Sequence, residues 1–444
     1  MIETATEIVQ KLRKAGFRVY FVGGCVRDLL SGNKDPKDID IATSAKPAEI
    51  EKLFSHTKPV GKEFGVILVI ENGKSFEVAT FRKESDYIDA RHPSKVTFSD
   101  EKTDAQRRDF TVNGMFYDPI EKKVIDYVGG QEDLKNKKLR FIGEPYERIK
   151  EDHLRILRAV RFKNILNLEY EPKTKEAVKD LAILIKDVSA ERIRDELNKM
   201  LSHQSRANSL RDLDEFGLLK ILLPEIETMK GVEQPKNFHS EGDVFVHTML
   251  CMKELPADCS SEIAWAMLLH DIAKPDTFKI REGRPTFYGH VKISADKAAE
   301  ILKRFKFSNE QIDKIYWLIR KHLIHHDLPK MKTARARRLL QNPYMAELFI
   351  ILEADANASL PVGQKLDIVG VAKKMWQEEQ ARPKPPQPFL NGTEIMEILK
   401  IEPGPKVGEI IKALEDAQLE DEIKTKEEAK DLVKKFSPSP DQRP

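Results

Sequence analysis

At 444 residues, the chain is long enough for about three domains, since single cores seldom exceed roughly 250 residues. A composition 40% apolar and 33% charged, with no apolar run long enough for a membrane span and no secretory leader at Met1, points to a cytoplasmic protein with no membrane partner. Seventy-five Lys and Arg against 73 Asp and Glu leave a net charge of +2, which excludes capture of a polyanion by overall attraction and leaves local basic patches to do it.

The chain opens with an amphipathic helix over 4–15, where Ile8, Val9 and Leu12 fall at helical spacing and Gly16 stops it. Strands are expected at 17–22, 38–42, 64–71 and 75–81, with a helix at about 46–55. Between the first two strands, Gly23 and Gly24 let backbone N–H groups approach an anion, and Arg27 on a short following helix adds charge-assisted bonds to the same phosphates. Asp38 and Asp40, two apart on the next strand, point to one face. Together with Glu77 they can hold Mg²⁺, which takes carboxylates plus substrate phosphates. An isolated Asp-x-Asp is more often a turn or a solvated strand edge; the glycine turn upstream reverses that.

Residues 84–100 read as a mobile loop leading into a strand, with an inert surface loop equally compatible. In 104–113, Arg107 and Arg108 supply cationic forks, and Asp109 and Asn113 supply partners for ribose hydroxyls; the structural alternative is a helix cap with a surface ion pair. Residues 147–162 predict one strong helix with Asp152, Arg155 and Arg158 on successive turns. As structure alone, Asp152 and Arg155 are an i,i+3 ion pair contributing roughly 0.2–0.5 kcal/mol. As chemistry, a carboxylate beside a guanidinium complements the amine donor and ring-nitrogen acceptor that cytosine and adenine both present, and mismatches guanine and uracil.

From about 235 the character changes: His247, His270, Asp271 and Asp355 lie in helix-like surroundings and make a mixed N/O site suited to Mn, Ni, Co, Fe or Mg. His290 and His322 are candidate extra ligands or phosphate contacts, whereas His325-His326-Asp327 reads as a loop outside the site. Cys25, Cys251 and Cys259 lack metal-ligand spacing and cannot all pair, which suits a reducing compartment. The stretch 382–388 reads as a stiff polyproline-type linker before a small helical unit, and the last residues, 437–444, as disordered.

The Gly-Gly-x-Val-Arg-Asp turn with Asp-x-Asp resembles the nucleotidyltransferase superfamily and, more narrowly, class II tRNA nucleotidyltransferases and bacterial poly(A) polymerases. The resemblance extends through 104–113 and the Glu-Asp-x-x-Arg run Glu151 to Arg155 over roughly the first 200 residues. It implies that Asp152 and Arg155 read the base, that Arg158 and Arg161 are further nucleotide contacts, that 126–134 is a hinge, that Glu191-Arg192 with Glu196 and Lys199 buttresses the nucleotide pocket, and that 84–100 helps switch from C to A addition. The His and Asp set resembles the HD phosphohydrolase superfamily.

The expected fold is α+β: a small mixed α/β nucleotidyltransferase head (1–138), then an all-helical neck (139–230), an HD body (231–381) and a linker with a tRNA-gripping tail (382–444). The function implied is template-independent addition of CCA to tRNA from CTP and ATP, with the acceptor arm as partner, Mg²⁺ at the head, a divalent metal at the HD site, and no obligate protein partner evident. Alternatives are an A-adding enzyme, a poly(A) polymerase, an HD phosphohydrolase with an inactive head, and a tRNA-binding protein with neither site working.

Overall fold

The computed structural model describes all residues except 34, 37, 62–63, 88–92, 236–241, 360–361, 383–387 and 438–444. Contacts divide it into two compact units, Met1–Pro224 and Glu225–Pro444. The first is a mixed α/β head running into helices, the second almost wholly helical. No described helix is long and apolar enough to cross a membrane.

Among the described residues the strands of the head are β1 Val19–Val22, β2 Asp40–Thr43, β3 Thr57–Gly61, β4 Val66–Glu71, β5 Lys74–Thr80, β6 Arg82–Tyr87, β7 Pro93–Phe98, β8 Phe116–Asp118 and β9 Lys123–Ile125. The main sheet runs β3-β4-β5-β2-β1-β8-β9, with β2 and β5 parallel and the other neighbours antiparallel. Strands β1, β2, β4 and β5 are anchored by Val19, Phe21, Ile41, Ile67, Val69, Phe76 and Val78, all buried with Ile8, Val9 and Leu12 of the first helix, Ile2–Lys14. This apolar packing, at about 25 cal/mol per Å² of buried surface, makes the sheet a rigid base for the polar groups at its edge.

Several sequence expectations need correction. The strand expected from 38 begins at Asp40, because Asp40 is the first residue of β2 with a ladder partner, Val22; Asp38 precedes it in irregular chain. The expected loop over 84–100 is largely the two-stranded ladder β6–β7, with Arg82 opposite Phe98. A lone ribbon has no core of its own and so shows little hydrophobic alternation in sequence. Residues 88–92 of that stretch lie outside the described residues, as do 383–387 of the expected linker and 438–444 of the expected disordered end.

The single helix expected over 147–162 is two, Pro145–Glu151 and Arg155–Ile165, interrupted where Asp152 takes extended backbone angles, φ −147° and ψ 104°. The Asp152 side chain accepts from the Leu154 N–H at 3.1 Å, the local Asp-to-backbone bond that competes with helix continuation.

The strand pair β10 Lys138–Leu139 and β11 Glu169–Tyr170 follows in the first unit. In the second, a hairpin of β12 Lys279–Arg281 and β13 Arg284–Thr286 interrupts the helices. The chain's final helices, Gly392–Leu399, Pro405–Leu419 and Lys426–Lys434, bury their own small cluster around Leu390, Ile395 and Leu414.

Candidate active site and candidate metal centre

At the end of β1 the chain turns through Gly23, whose φ of 74° is left-handed. A Cβ there would stand 3.4 Å from the Arg108 guanidinium and 3.6 Å from the Asp40 carboxylate, so the turn favours glycine and carries both charges beside it. The parallel pairing of Ile41 with Val78 brings Glu77 alongside Asp40. Solvent reaches Asp40, yet the surrounding protein and then the Glu77 charge raise its pKa, with Asp38 adding to the rise and Arg108 opposing it. A carboxylate whose proton affinity is raised by neighbouring acids suits a divalent cation, which replaces the proton. The three predicted acids are therefore gathered, although Asp38 reaches the group from outside the strand.

Around them the cations are fixed by buried acids. Arg107 Nε donates to Asp104 Oδ1 at 2.8 Å, and Arg108 Nη2 donates to Oδ2 at 3.1 Å. Burial works against the charge on Asp104, and the two guanidiniums outweigh it, leaving its pKa lowered. This supersedes the surface ion pair as the structural alternative for 104–113, since Asp104 is fully enclosed.

Arg27 Nη1 donates to Asn113 Oδ1 at 2.7 Å; Asn113 donates in turn to Asp109 Oδ1 at 3.3 Å, and Asp109 Oδ2 accepts from Arg158 Nε at 2.9 Å. A polar relay thus ties the helix after the glycine turn to Arg155–Ile165. The Phe162 ring, on that same helix, has the guanidiniums of Arg27, Arg158 and Arg161 at 5.7, 5.2 and 4.1 Å, and Arg161 Nε donates to buried Glu196 at 2.6 Å.

Burial alone would raise the pKa of Asp109, but Arg158 holds it down to about 2 from 3.8. A depressed carboxylate stabilises the fold fully above its unfolded pKa and loses that contribution as pH falls towards 2. Asp109→Asn should therefore cost about 2 kcal/mol in denaturant unfolding at pH 7 and progressively less between pH 4 and pH 2.

The pair at the helix break differs from the i,i+3 expectation. Asp152 accepts from Arg192 Nη2 through both oxygens, at 3.0 and 2.9 Å, whereas Arg155 Nη1 donates to Glu151 at 2.6 Å and to the Arg148 carbonyl at 2.7 Å. Asp152 takes extended backbone angles where a helix would align the two side chains, and each finds another partner.

In the second unit, Asp271 is the hub of a buried cluster. His270 follows the apolar helix Ser261–Leu269, His247 lies on Val244–Glu254, and Asp355 on Met345–Ala358. Asp271 Oδ2 stands 3.1 Å from His270 Nε2, 3.9 Å from His247 Nε2 and 2.6 Å from Lys274 Nζ; Oδ1 stands 3.3 Å from His290 Nε2 and 3.8 Å from His322 Nε2. His247 Nε2 is 3.1 Å from Asp355 Oδ1.

His270, His290 and His322 each place Nδ1 2.7–2.8 Å from the carbonyl three residues back, which turns Nε2 inward as in metal-ligating histidines. Among the described residues, His270 Nε2, His290 Nε2 and Asp271 Oδ1 are buried without an aligned hydrogen-bond partner despite these short distances. Unsatisfied imidazole and carboxylate atoms converging on one another fit a divalent cation. Burial opposes the charge on Asp271, but His270 and Lys274 hold its pKa well below the carboxylate range; burial pushes His322 down to about 3, keeping it neutral.

Two members of this cluster escaped the sequence reading. Cys251 Sγ lies 3.3 Å from His247 Nε2 and groups with His247, His270 and Asp355, so the absence of a Cys-to-Cys spacing was the wrong criterion; its i,i+4 offset from His247 was the signal. Lys274, three residues after Asp271, is buried and also donates to Gln234 at 2.7 Å. His325 and His326 form part of a short 3-10 helix, Ile324–His326, instead of the expected loop, and belong to neither group of metal-capable residues found among those described.

A mixed sheet with acids and guanidiniums gathered at a glycine turn defines a nucleotide-handling head, and the comparisons specify it. Residues 19–140 match the poly A polymerase head domain, 167–230 the RNA- and SrmB-binding site of polymerase A, and 286–430 the second domain of tRNA nucleotidyltransferase. The chain is 30% identical over 430 residues to the CCA-adding enzyme of Streptococcus suis, covering 96% of this chain and 94% of that one. It is 32% identical over 426 residues to the CCA-adding enzyme of Pediococcus pentosaceus, covering 95% and 94%. The crystal structure of the Bacillus stearothermophilus CCA-adding enzyme in complex with CTP superposes with a TM-score of 0.72 at 26% identity, over 98% of this chain and 97% of that one. The chain belongs to the class II CCA-adding enzyme and poly(A) polymerase family.

Proposed function

We infer that this chain is an enzyme that adds C, C and A to the 3′ end of tRNA from CTP and ATP, selecting the nucleotides without a nucleic-acid template. The observation that carries the reading is the gathering of Asp40, Glu77 and Asp38 beside the Gly23 turn and Arg108. It is supported by relatives named CCA-adding enzymes that the chain covers almost end to end.

In this reading the Gly23-Gly24 turn, Arg27 and Arg108 receive the triphosphate, Asn113 faces the ribose, and Asp38, Asp40 and Glu77 hold a divalent metal, read as Mg²⁺. When bound, that metal makes the terminal hydroxyl a better nucleophile and neutralises charge on departing pyrophosphate. Asp152 and Arg155 take the Watson–Crick edge, their rotamers preset by Arg192 and Glu151. We assign the parts as head 1–138, neck 139–230, body 231–381 and linker with tail 382–444, the tail gripping the tRNA.

The deciding assay gives the full chain tRNA ending before CCA, with CTP and ATP separately and together, and sequences the products. C, C, A is the expected result; A alone, or a long A tail, assigns an A-adding enzyme or a poly(A) polymerase instead. Asp152→Ala should raise misincorporation of U and G by about tenfold or more, the scale set by leaving a desolvated polar group unpaired, with triphosphate KM little changed. Unchanged misincorporation would remove Asp152 from base reading.

A second reading is favoured by the inward-turned imidazoles around Asp271: the second unit is an HD phosphohydrolase in which His247, His270, Asp271 and Asp355, with His290 and His322, hold one or more divalent ions. Lys274, paired with Asp271, supplies the buried cation of this cluster.

A further inference from the structure

We propose that the hairpin β12–β13 and the segment after it form a landing for the unpaired end of an RNA strand, with one nucleobase on Tyr288 and the adjoining phosphate directed toward Asp271. The destination of the phosphate rests on the phosphohydrolase reading; the landing itself does not. The hairpin closes at Glu282 and Gly283, both at positive φ, 50° and 72°, the two-residue turn that matches strand twist and holds a ribbon rigid. Its strands carry Lys279, Arg281 and Arg284 to solvent, with Lys292 just beyond and Glu282 as the lone acid between 278 and 292.

Beside these cations stands Tyr288, 73% exposed, with the Arg281 guanidinium 4.9 Å from its ring centre. Ile280 is 60% exposed on the same ribbon. An exposed ring with a guanidinium set against it matches how proteins hold unstacked bases, through aromatic and Arg planes joined to backbone-tracking cations. A duplex buries its bases and has no face to offer such a ring.

The landing is joined to the buried cluster by sequence and by contact. Phe287, the neighbour of Tyr288, has Lys274 Nζ 5.4 Å from its ring, and that same Nζ is 2.6 Å from Asp271. His290, which faces Asp271 at 3.3 Å, is two residues past Tyr288, at most about 7 Å of backbone. A base held at Tyr288 therefore leaves its own sugar-phosphate on the surface next to Phe287 and His290, the two residues that reach the buried lysine and Asp271.

The test is photocrosslinking of a short single-stranded RNA ending in 5-iodouridine to the full chain with CTP saturating the head, followed by peptide mapping. The expected adduct falls within 278–292. Its yield should drop about tenfold in Arg281→Glu, stay unchanged in Tyr288→Phe, and resist competition by a duplex of the same sequence. Both substitutions lie on the surface, and matching melting temperatures verify the fold. No adduct in that segment, an unchanged yield in Arg281→Glu, or equal competition by duplex would overturn the proposal. Metal retention and cleavage of a small aryl phosphodiester are measured separately; their absence with the adduct present removes the phosphohydrolase reading and leaves the landing.

Discussion

Asp40→Ala should abolish CMP and AMP incorporation, by at least about 10³-fold, while the protein melts at the same temperature or higher. The two effects have one cause. Burial and then the Glu77 charge raise the Asp40 pKa in the fold, with Asp38 adding to the rise, so the charged form is disfavoured there. Its charge therefore opposes folding at pH 7, where an unfolded chain would carry it freely, so removing it relieves repulsion. A site arranged to receive a cation stores this conflict, and loss of activity with retained or improved stability is its signature. If incorporation survived in Asp40→Ala, or if both fell together through unfolding, the carboxylates would be structural and the catalytic assignment would fail. Any phosphoester hydrolysis by the second unit should be untouched.

Which parts of this were legible in sequence follows from how local each constraint is. The glycine turn and Asp40 were readable because a left-handed turn and a strand end are written in adjacent residues. Glu77 was readable because the strand that carries it alternates cleanly: Phe76 and Val78 are buried while Glu77 is exposed. The relay from Arg27 through Asn113 and Asp109 to Arg158 spans 131 positions, and periodicity contains no term for contacts at that separation. The helix break at Asp152 was hidden by good helix formers on both sides; Asp152 bonding a nearby backbone N–H and pairing with Arg192 outweighed their propensity. The histidine and aspartate donors of the second unit were legible as residue types. Their common centre was not, because Asp271 is reached from helices that begin at Val244, Ser261, His290, Asn309 and Met345.

The second large effect is expected at that centre. Asp271→Ala should abolish metal retention after dialysis and with it any phosphoester hydrolysis, and should destabilise the second unit by about 3–5 kcal/mol, because Lys274 is left charged and buried without its carboxylate. Asp355→Asn separates the two consequences: among the described residues Asp355 has no lysine within ion-pair distance, and its close partner is His247 at 3.1 Å, so metal retention should fall while the melting temperature changes little. Incorporation of C and A should persist in both variants, since no head carboxylate is altered. Full metal retention in both would mean that imidazoles and carboxylates satisfy one another as a core ion network, and the inward Nε2 atoms would then be packing, not ligation. Loss of nucleotide addition in either variant would show that the two centres do not work independently.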